Sequence, residues 1–301
     1  MADFVPAGGV GKPRRTGGVA RNLVRHLARI LVVVVLGGFL GATLVRVAPG
    51  FGVEEEELDS RLSTTSLQAL RQADAQQEGL IRFYLHYWER LLQGDLGESR
   101  LLHMPVRQLL AERFPETLQS VGLGLAVAWM AGLGLAIAAT MTRAGGVDLL
   151  AGLAASALLC IPAAVLALLF VIVQAPARLA VGLIVFPKIY QFARNLLARA
   201  AAGPHVLAAR ARGAATVRVF VGHILPVAAP QLLALAGISV SMAFAAAIPV
   251  EALCDLPGLG QLAWQAAMGR DLALLVNLTM IVTLLTLLAN SAAELAGMER
   301  R

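Results

Sequence analysis

Few side chains in this sequence have the types and the spacing that catalysis or nucleotide binding requires. The nearest approach to a nucleotide site is the run AGGVGKP at residues 7–13. A phosphate-binding loop needs a glycine, four residues, then Gly-Lys followed by Ser or Thr. Pro6 stands at the glycine position, and Pro13 cannot supply a magnesium-binding hydroxyl. We therefore predict that this chain does not hydrolyse a nucleotide by that route.

The metal-binding and nucleophilic residue types are equally scattered. Cys160 and Cys254 lie at apolar runs, and two isolated cysteines make neither a disulfide framework nor a zinc site. The histidines lack metal-ligand spacing; they are His26, His86, His103, His205 and His223. The sequence predicts no catalytic residue, no metal site and no cofactor, so energy from ATP would have to come from another subunit.

The composition indicates a protein that crosses a membrane several times. Of 301 residues, 58% are hydrophobic and 15% are charged, and the mean hydropathy is +0.72. Soluble domains are roughly half apolar and a quarter charged. The net charge of +6 is almost entirely arginine, because Lys12 and Lys188 are the only lysines. This charge fits anionic lipid headgroups and cytoplasmic loops, and we predict no nucleic-acid partner.

Six apolar runs approach the roughly 20 residues that a spanning helix needs, so we predict an all-α membrane protein. The runs are 27–47, 118–141, 149–173, 179–197, 230–253 and 272–295. A signal peptide is the alternative for the first run, but its length and Pro49 favour an uncleaved span. The fourth run is the least apolar, and Pro187 is predicted to kink it; Pro162 is a second candidate kink.

Charge predicts the orientation and divides the chain into four parts. Arginines cluster in the tail, 1–26, and at 194–218, which predicts cytoplasmic N and C termini. The acidic segment 48–117 is then external. It contains an amphipathic stretch at 80–92, interpreted as an interfacial or packed helix. The remaining parts are the first span, 27–47, and a core of five spans at 118–301.

A short basic segment at 205–226, HVLAARARGAATVRVFVGHILP, separates two of the apolar regions. Its pattern predicts a helix that ends at Gly213 and a second helical run after it, since glycine permits the turn. Ala208 and Ala209 are predicted to offer a flat surface for close approach. Arg210 and Arg212 should hold the segment at the cytoplasmic face. A basic loop with no further role is an equally weighted alternative for the segment alone.

This segment resembles the EAA motif of permease subunits of binding-protein-dependent ABC importers. The alanines Ala208 and Ala209, Gly213, and the pair Leu225-Pro226 fall at the motif's spacing, while Leu207 replaces its glutamate and His223 its hydrophobic residue. The form with Ala-Arg-Ala-Arg-Gly and a later histidine is similar to the peptide and nickel branch. The resemblance implies a cytoplasmic coupling helix at 205–222 that contacts the ATPases. The contacting residues would be Ala208, Ala209, Arg210, Arg212, Gly213, His223, Leu225 and Pro226.

Further stretches resemble the same branch in the same order: RVAPG at 46–50, GDLGES at 94–99 and ERFPETL at 112–118. The long segment after the first span is similar to that of the first permease of the pair. An outer loop or gate is implied between the last two spans. Its residues would be Glu251, Pro257, Gly258, Gly260, Arg270 and Asp271. The connection at 174–178 departs from the family, which has a longer external segment there.

The resemblance implies a pathway-forming subunit for peptides or a related small solute in the bacterial inner membrane. Its expected partners are a second permease, two cytoplasmic ATPases, a periplasmic or lipid-anchored binding protein, and membrane lipids. Two alternatives stay open: an ion-coupled carrier and a non-transporting scaffold derived from a permease. Acidic residues are scarce within the predicted spans, which disfavours the carrier.

Overall fold

The described part of the chain is helical almost throughout. The computed structural model describes residues 93–142 and 145–298, with residues 28, 31–33, 35–40, 43 and 89–91 before them. Within these residues the one β-type feature is an isolated bridge between Glu98 and Pro105. The predicted all-α class is confirmed for this part. Most of the segments 1–26 and 48–92, including the amphipathic run at 80–92, lies outside it.

Nine α-helices and one π-helical turn make up the described sequence from residue 106 onward. They are α1 (Val106–Thr142), α2 (Gly145–Cys160), α3 (Ala163–Ile172), α4 (Arg178–Ala201), α5 (Pro204–Ala211), α6 (Thr216–Val219), the π-helix Phe220–Ile224, α7 (Leu225–Leu253), α8 (Leu259–Met268) and α9 (Leu272–Met298). A short apolar helix, Leu31–Leu40, falls within the predicted first span.

Three of the described helices are long and apolar enough to cross a membrane: Val106–Thr142, Thr216–Leu253 and Leu272–Ala293. The first two contain the predicted second and fifth spans, and the third covers all but the last two residues of the predicted sixth. The first of them begins well before residue 118, so the segment 48–117 ends inside a helix. The predicted fourth span lies within α4, which by length and composition is not one of the apolar spans. The count of six spans stays a prediction.

The predicted third span, 149–173, is not one straight helix. The paired helices Asp148–Cys160 and Ala163–Ile172 meet at an angle of 98°, the geometry of a broken span or of a re-entrant loop. Pro162 lies at the break with φ −57° and ψ 142°, and proline disfavours helical geometry at the residue before it. Pro187 behaves differently, because it lies inside α4 and that helix continues from Arg178 to Ala201.

The core is built around α4, which packs against both α1 and α7, while α7 also packs against α9. The α1–α4 contact is close because glycines of α1 lie directly against α4: a Cβ on Gly124 would lie 2.7 Å from Val181 Cγ1, and one on Gly132 would lie 3.0 Å from Ile189 Cγ2. Close backbone approach through small residues is a common mode of helix packing in membranes. At the other side of the fold, Val35 and Phe39 of the N-terminal helix pack against α9.

Candidate functional site

The segment 204–226 is a helix, a glycine turn and a second short helix. Pro204 begins α5, where its missing N–H would have had no helical partner. The helix ends in a Schellman-type pair of bonds, Gly213 N–H to Arg210 O at 2.9 Å and Ala214 N–H to Ala209 O at 3.2 Å. Gly213 has φ +77°, a conformation that favours glycine. The predicted helix–glycine–helix pattern is therefore present.

This segment has a buried face and an exposed apolar face. Val206, Ala209, Val219 and Phe220 join a core with α4 and α7. Leu207, Val217 and Val221 instead are 73%, 61% and 56% exposed. Of the two alanines predicted to offer a flat surface for close approach, Ala208 is exposed and Ala209 is 1% exposed, and the predicted role stays a prediction. Helical spacing explains the difference, because Val206 and Ala209 are three residues apart and share the inner face.

The end of the segment changes helical type before it enters α7. The Leu225 N–H donates to Phe220 O, five residues back, as in a π-helix. Pro226 follows at the start of α7 and has no N–H to offer the carbonyl of Gly222. His205 of α5 contacts this turn through Nε2, 3.2 Å from the carbonyl oxygen of His223. This contact joins α5, the first half of the segment, to the π-helical turn at its end.

Glu251 is the most deeply buried of the predicted outer-loop residues, at 0% exposure. Its Oε2 accepts the Gly260 N–H at 2.7 Å and the Thr117 hydroxyl at 3.0 Å. The same hydroxyl oxygen accepts the Leu259 N–H at 2.7 Å. Two side chains from α1 and α7 therefore satisfy N–H groups at the first turn of α8, where a helix has no internal acceptors.

The two predicted glycines lie against this carboxylate. A Cβ at Gly258 would overlap the Glu251 carboxyl group, and one at Gly260 would lie 2.7 Å from Ile248 Cα. Pro257 precedes them in the turn that reverses the chain between α7 and α8. The structure therefore brings Glu251, Gly258 and Gly260 together, with Thr117 as a partner that sequence reasoning did not assign.

Asp271 belongs to a second buried cluster at the start of α9. Its Oδ1 accepts the Leu274 N–H at 3.0 Å, as a helix N-cap does. Its Oδ2 accepts the Ser99 hydroxyl at 2.6 Å and the Leu101 N–H at 3.2 Å. Arg270 precedes it with φ +52°. This cluster attaches the segment before α1 to the loop before α9.

The short connection at 174–178 is fixed to α1 by an ion pair. Arg178 Nε and Nη2 donate to the two carboxylate oxygens of Glu116, at 2.8 and 2.9 Å. The side chains are 42% and 15% exposed. Glu116 is the neighbour of Thr117 in α1, so the connection lies beside the Glu251 cluster.

A third polar cluster, which the sequence did not reveal, joins α2 to α4. Arg194 Nε donates to Asp148 Oδ1 at 2.7 Å, and its Nη2 contacts the other carboxylate oxygen. Tyr190 donates to Oδ1 at 3.2 Å. In the sequence, Arg194 and Lys188 make the fourth run the least apolar. The partner of Arg194, Asp148, lies 46 residues earlier and could not be assigned from spacing. Among the described residues, no group of three or more His, Cys, Asp or Glu side chains could hold a metal ion.

The long apolar helices and the polar segments at their two ends define a multi-pass, all-helical membrane protein. A model of the family described as "binding-protein-dependent transport system inner membrane component" matches residues 124–296. The match spans more than half of the chain, and the chain belongs to this family. The resemblance seen in the sequence is confirmed, and the protein is a permease component of an ABC importer.

Relatives extend the similarity to nearly the whole chain. The dipeptide transport system permease protein DppB of Bacillus subtilis is 22% identical, with 92% of this chain and 96% of that protein covered. The nickel import system permease protein NikB of Staphylococcus aureus is also 22% identical, with 92% and 89% covered. A putative peptide transport system permease protein of Brucella suis is 24% identical, with 83% and 88% covered.

A solved structure shows the same fold. A chain of the MetNI methionine ABC transporter, in an inward-facing conformation, matches with a TM-score of 0.57 and 21% identity. The match covers 64% of this chain and 97% of that chain. The shared part is the helical permease fold.

Proposed function

We propose that this chain is a pathway-forming permease whose 204–226 segment docks on cytoplasmic ATPases. The six predicted spans would place both termini in the cytoplasm of a bacterium, in its inner membrane. A second, similar permease would complete the pathway. A periplasmic or lipid-anchored binding protein would deliver substrate to the opposite face, where the Glu251 cluster and the 174–178 connection lie.

The exposed apolar face of the 204–226 segment carries this proposal. Leu207, Val217 and Val221 are each more than half exposed, on a segment that also bears the exposed side chains of Arg212 and Arg218. Apolar side chains grouped on a basic, water-facing element are a typical docking surface for another protein. A partner that covers them would gain the burial of three aliphatic side chains with charged residues at the rim.

The buried face of the same segment supports a route by which movement of the docked ATPases would reach the membrane helices. Val206 and Ala209 of α5 pack in one core with Leu197 of α4 and Leu232 of α7. A packed core transmits displacement because it has little empty space to absorb it. Movement of docked ATPases would therefore shift α4 and α7 and change the packing of the spans between two states.

The relatives support peptides, or a related small solute, as the transported class, since two of the three named above are peptide permeases and the third imports nickel. This chain would hold no catalytic residue of its own, and ATP hydrolysis would occur on the separate ATPase subunits.

A single substitution on the exposed face tests the docking proposal. Leu207→Asp should abolish copurification of the ATPases and ATP-dependent uptake in proteoliposomes, because it places a charge in the docking surface. The matched change Leu101→Asp, at a residue 44% exposed at the opposite end of the fold, should leave ATPase copurification unchanged. Wild-type association and uptake by Leu207→Asp, inserted at normal levels, would overturn the proposal.

The same preparation separates the two alternative functions. An ion-coupled carrier needs no ATPase, so stable copurification of the wild-type chain with ATPases counts against it. A scaffold derived from a permease would associate with ATPases and still give no ATP-dependent uptake. Uptake by the reconstituted wild-type transporter therefore excludes the scaffold.

A further inference from the structure

A cleft opens where α1, α2, α4 and α5 meet, beside the 204–226 segment. Its volume is about 280 Å³, and it is lined by small alanines of α1 and α4 with Thr140, Asp148, Arg194 and Arg210. Four elements thus leave a space with two guanidinium groups and one carboxylate in its wall. The mechanism proposed above makes no use of this space.

A second cleft lies next to the first, between α2 and α4. It measures about 360 Å³ and shares Asp148 and Arg194 with the first cleft. Leu149 and Leu153 of α2 line it and are 61% and 59% exposed. Gln191 on the α4 side contributes a polar group. The combined space is therefore basic at one end and apolar along one wall.

Among the described residues that line the basic end, the charges are not balanced. Asp148 is held by Arg194, whose Nε and Nη2 point to its two carboxylate oxygens. A guanidinium carries further N–H donors beyond those two, so Arg194 can still bind a second anion. Arg210 adds another cation to the same cleft. Two arginines against one carboxylate suit the phosphate of a ligand, which arginine binds in bidentate geometry.

The position of the cleft selects the source of that phosphate. Arg210 belongs to α5, so the basic end lies at the face that we assign to the cytoplasm, and this step rests on the proposed orientation. Anionic headgroups of that leaflet attract arginine, and basic pockets between membrane helices bind them. The groove past Leu149 and Leu153 leads along α2, where an acyl chain would find apolar contacts.

We propose that the two clefts together bind one anionic phospholipid of the inner leaflet. Its phosphate would contact Arg194 and Arg210, and one acyl chain would lie in the groove between α2 and α4. The lipid would thereby join the broken span to the element that docks on the ATPases.

Asp148 gives the proposal a signature that a structural role would not produce. If the carboxylate competes with a phosphate for Arg194, then Asp148→Asn should tighten binding of the anionic lipid. If the ion pair serves only to hold α2 on α4, the same substitution should loosen the groove and weaken binding. The two readings predict changes of opposite sign.

Lipid binding is measured on the full-length chain purified in detergent, by native mass spectrometry with phosphatidylglycerol and, separately, phosphatidylcholine. Arg210→Gln should weaken phosphatidylglycerol binding roughly fivefold, since one basic residue near a headgroup contributes about that factor. Asp148→Asn should strengthen it. The matched control Arg199→Gln removes the same charge from an exposed position of α4 outside both clefts and should leave binding unchanged.

Three results would overturn the proposal. The first is equal binding of phosphatidylglycerol and phosphatidylcholine, and the second is weaker phosphatidylglycerol binding by Asp148→Asn. The third is displacement of the lipid by glycerol 3-phosphate at millimolar concentration, which would identify a site for a soluble phosphate. None of these measurements requires an ATPase or transport, so failure here is distinct from failure of the docking proposal.

Discussion

At the scale of single residues, two glycines beside Glu251 are required for different reasons. The three atoms nearest to a Cβ at Gly258 would all belong to the carboxyl group of Glu251, whereas the atom nearest to a Cβ at Gly260 would be backbone, Ile248 Cα at 2.7 Å. Substitution of Glu251 removes the carboxyl group that crowds Gly258, whereas no substitution removes the Ile248 backbone that crowds Gly260. A second substitution at Glu251 should therefore affect the two glycine variants differently.

We predict that Gly258→Ala and Gly260→Ala each reduce the free energy of unfolding by about 1–3 kcal/mol through overpacking. Each should therefore lower the thermal unfolding midpoint in detergent. Adding Glu251→Ala should relieve Gly258→Ala in part but leave Gly260→Ala as damaging as before. Gly122→Ala is the control, because a Cβ there has no neighbour within 4 Å. Equal relief of both glycine variants would contradict the geometry.

The Glu251 cluster also shows what sequence could and could not provide. The motif around Pro257 drew attention to Glu251, Gly258 and Gly260 together because they lie within ten residues of each other. Thr117 is 134 residues earlier, and spacing carries no information about such a pairing. The interaction arises from the packing of α1 against α7 and α8, which is a property of the fold.

At the scale of helices, the close packing of α1 against α4 follows a stripe of small residues on α1. Gly124, Ala128, Gly132 and Ala136 recur every four residues and are all buried. Residues four apart share one face of a helix, so the stripe lets α4 approach closely. This periodicity is visible in the sequence and indicates a close-packed face on α1, but it does not identify α4 as the helix that packs there.

We predict that Gly132→Ala destabilises the protein and that Gly134→Ala does not. A Cβ at Gly132 would lie 3.0 Å from Ile189 Cγ2 and 3.1 Å from the Tyr190 backbone nitrogen, whereas Gly134 has no neighbour within 4 Å. Both changes gain up to about 1 kcal/mol of helix propensity. The difference between their unfolding midpoints in detergent therefore reports packing alone, and equal midpoints would show that α1 and α4 are not held this closely.

The apolar runs predicted where helices form, but they did not predict that the helix in the 149–173 run is interrupted. A window of hydropathy registers the 149–173 run as one span because Ile161 and Pro162 are themselves apolar. The 98° bend is a backbone property that hydropathy does not measure. Pro187, by contrast, lies inside α4 and does not end that helix; the kink that it predicts stays a prediction. Neighbouring helices can compensate for a proline in a membrane protein, and burial of Pro187 in the core of the fold fits that case.

At the scale of the whole molecule, the polar clusters divide between two ends of the helices. The Glu251 and Asp271 clusters and the Glu116–Arg178 pair lie at one end, and the segment 204–226 lies at the other. Helix α7 joins the two ends with 29 residues. At 1.5 Å per residue it is roughly 43 Å long, which exceeds the ~30 Å hydrocarbon core of a bilayer. The two ends therefore reach opposite aqueous faces.

The orientation of these faces is predicted from charge and is open to a direct measurement. Positive side chains favour the cytoplasmic side, and Arg210, Arg212 and Arg218 all lie in the 204–226 segment. With Cys160 and Cys254 replaced by serine, a new cysteine at Val217 should react with a membrane-impermeant maleimide in inverted vesicles and not in intact cells. A cysteine at Leu101 should react in intact cells and not in inverted vesicles. Both positions are exposed, at 61% and 44%, so access to each depends on the membrane. The reverse labelling pattern would place the docking face outside and refute the proposed coupling to cytoplasmic ATPases, and labelling of both in intact cells would refute a membrane between them.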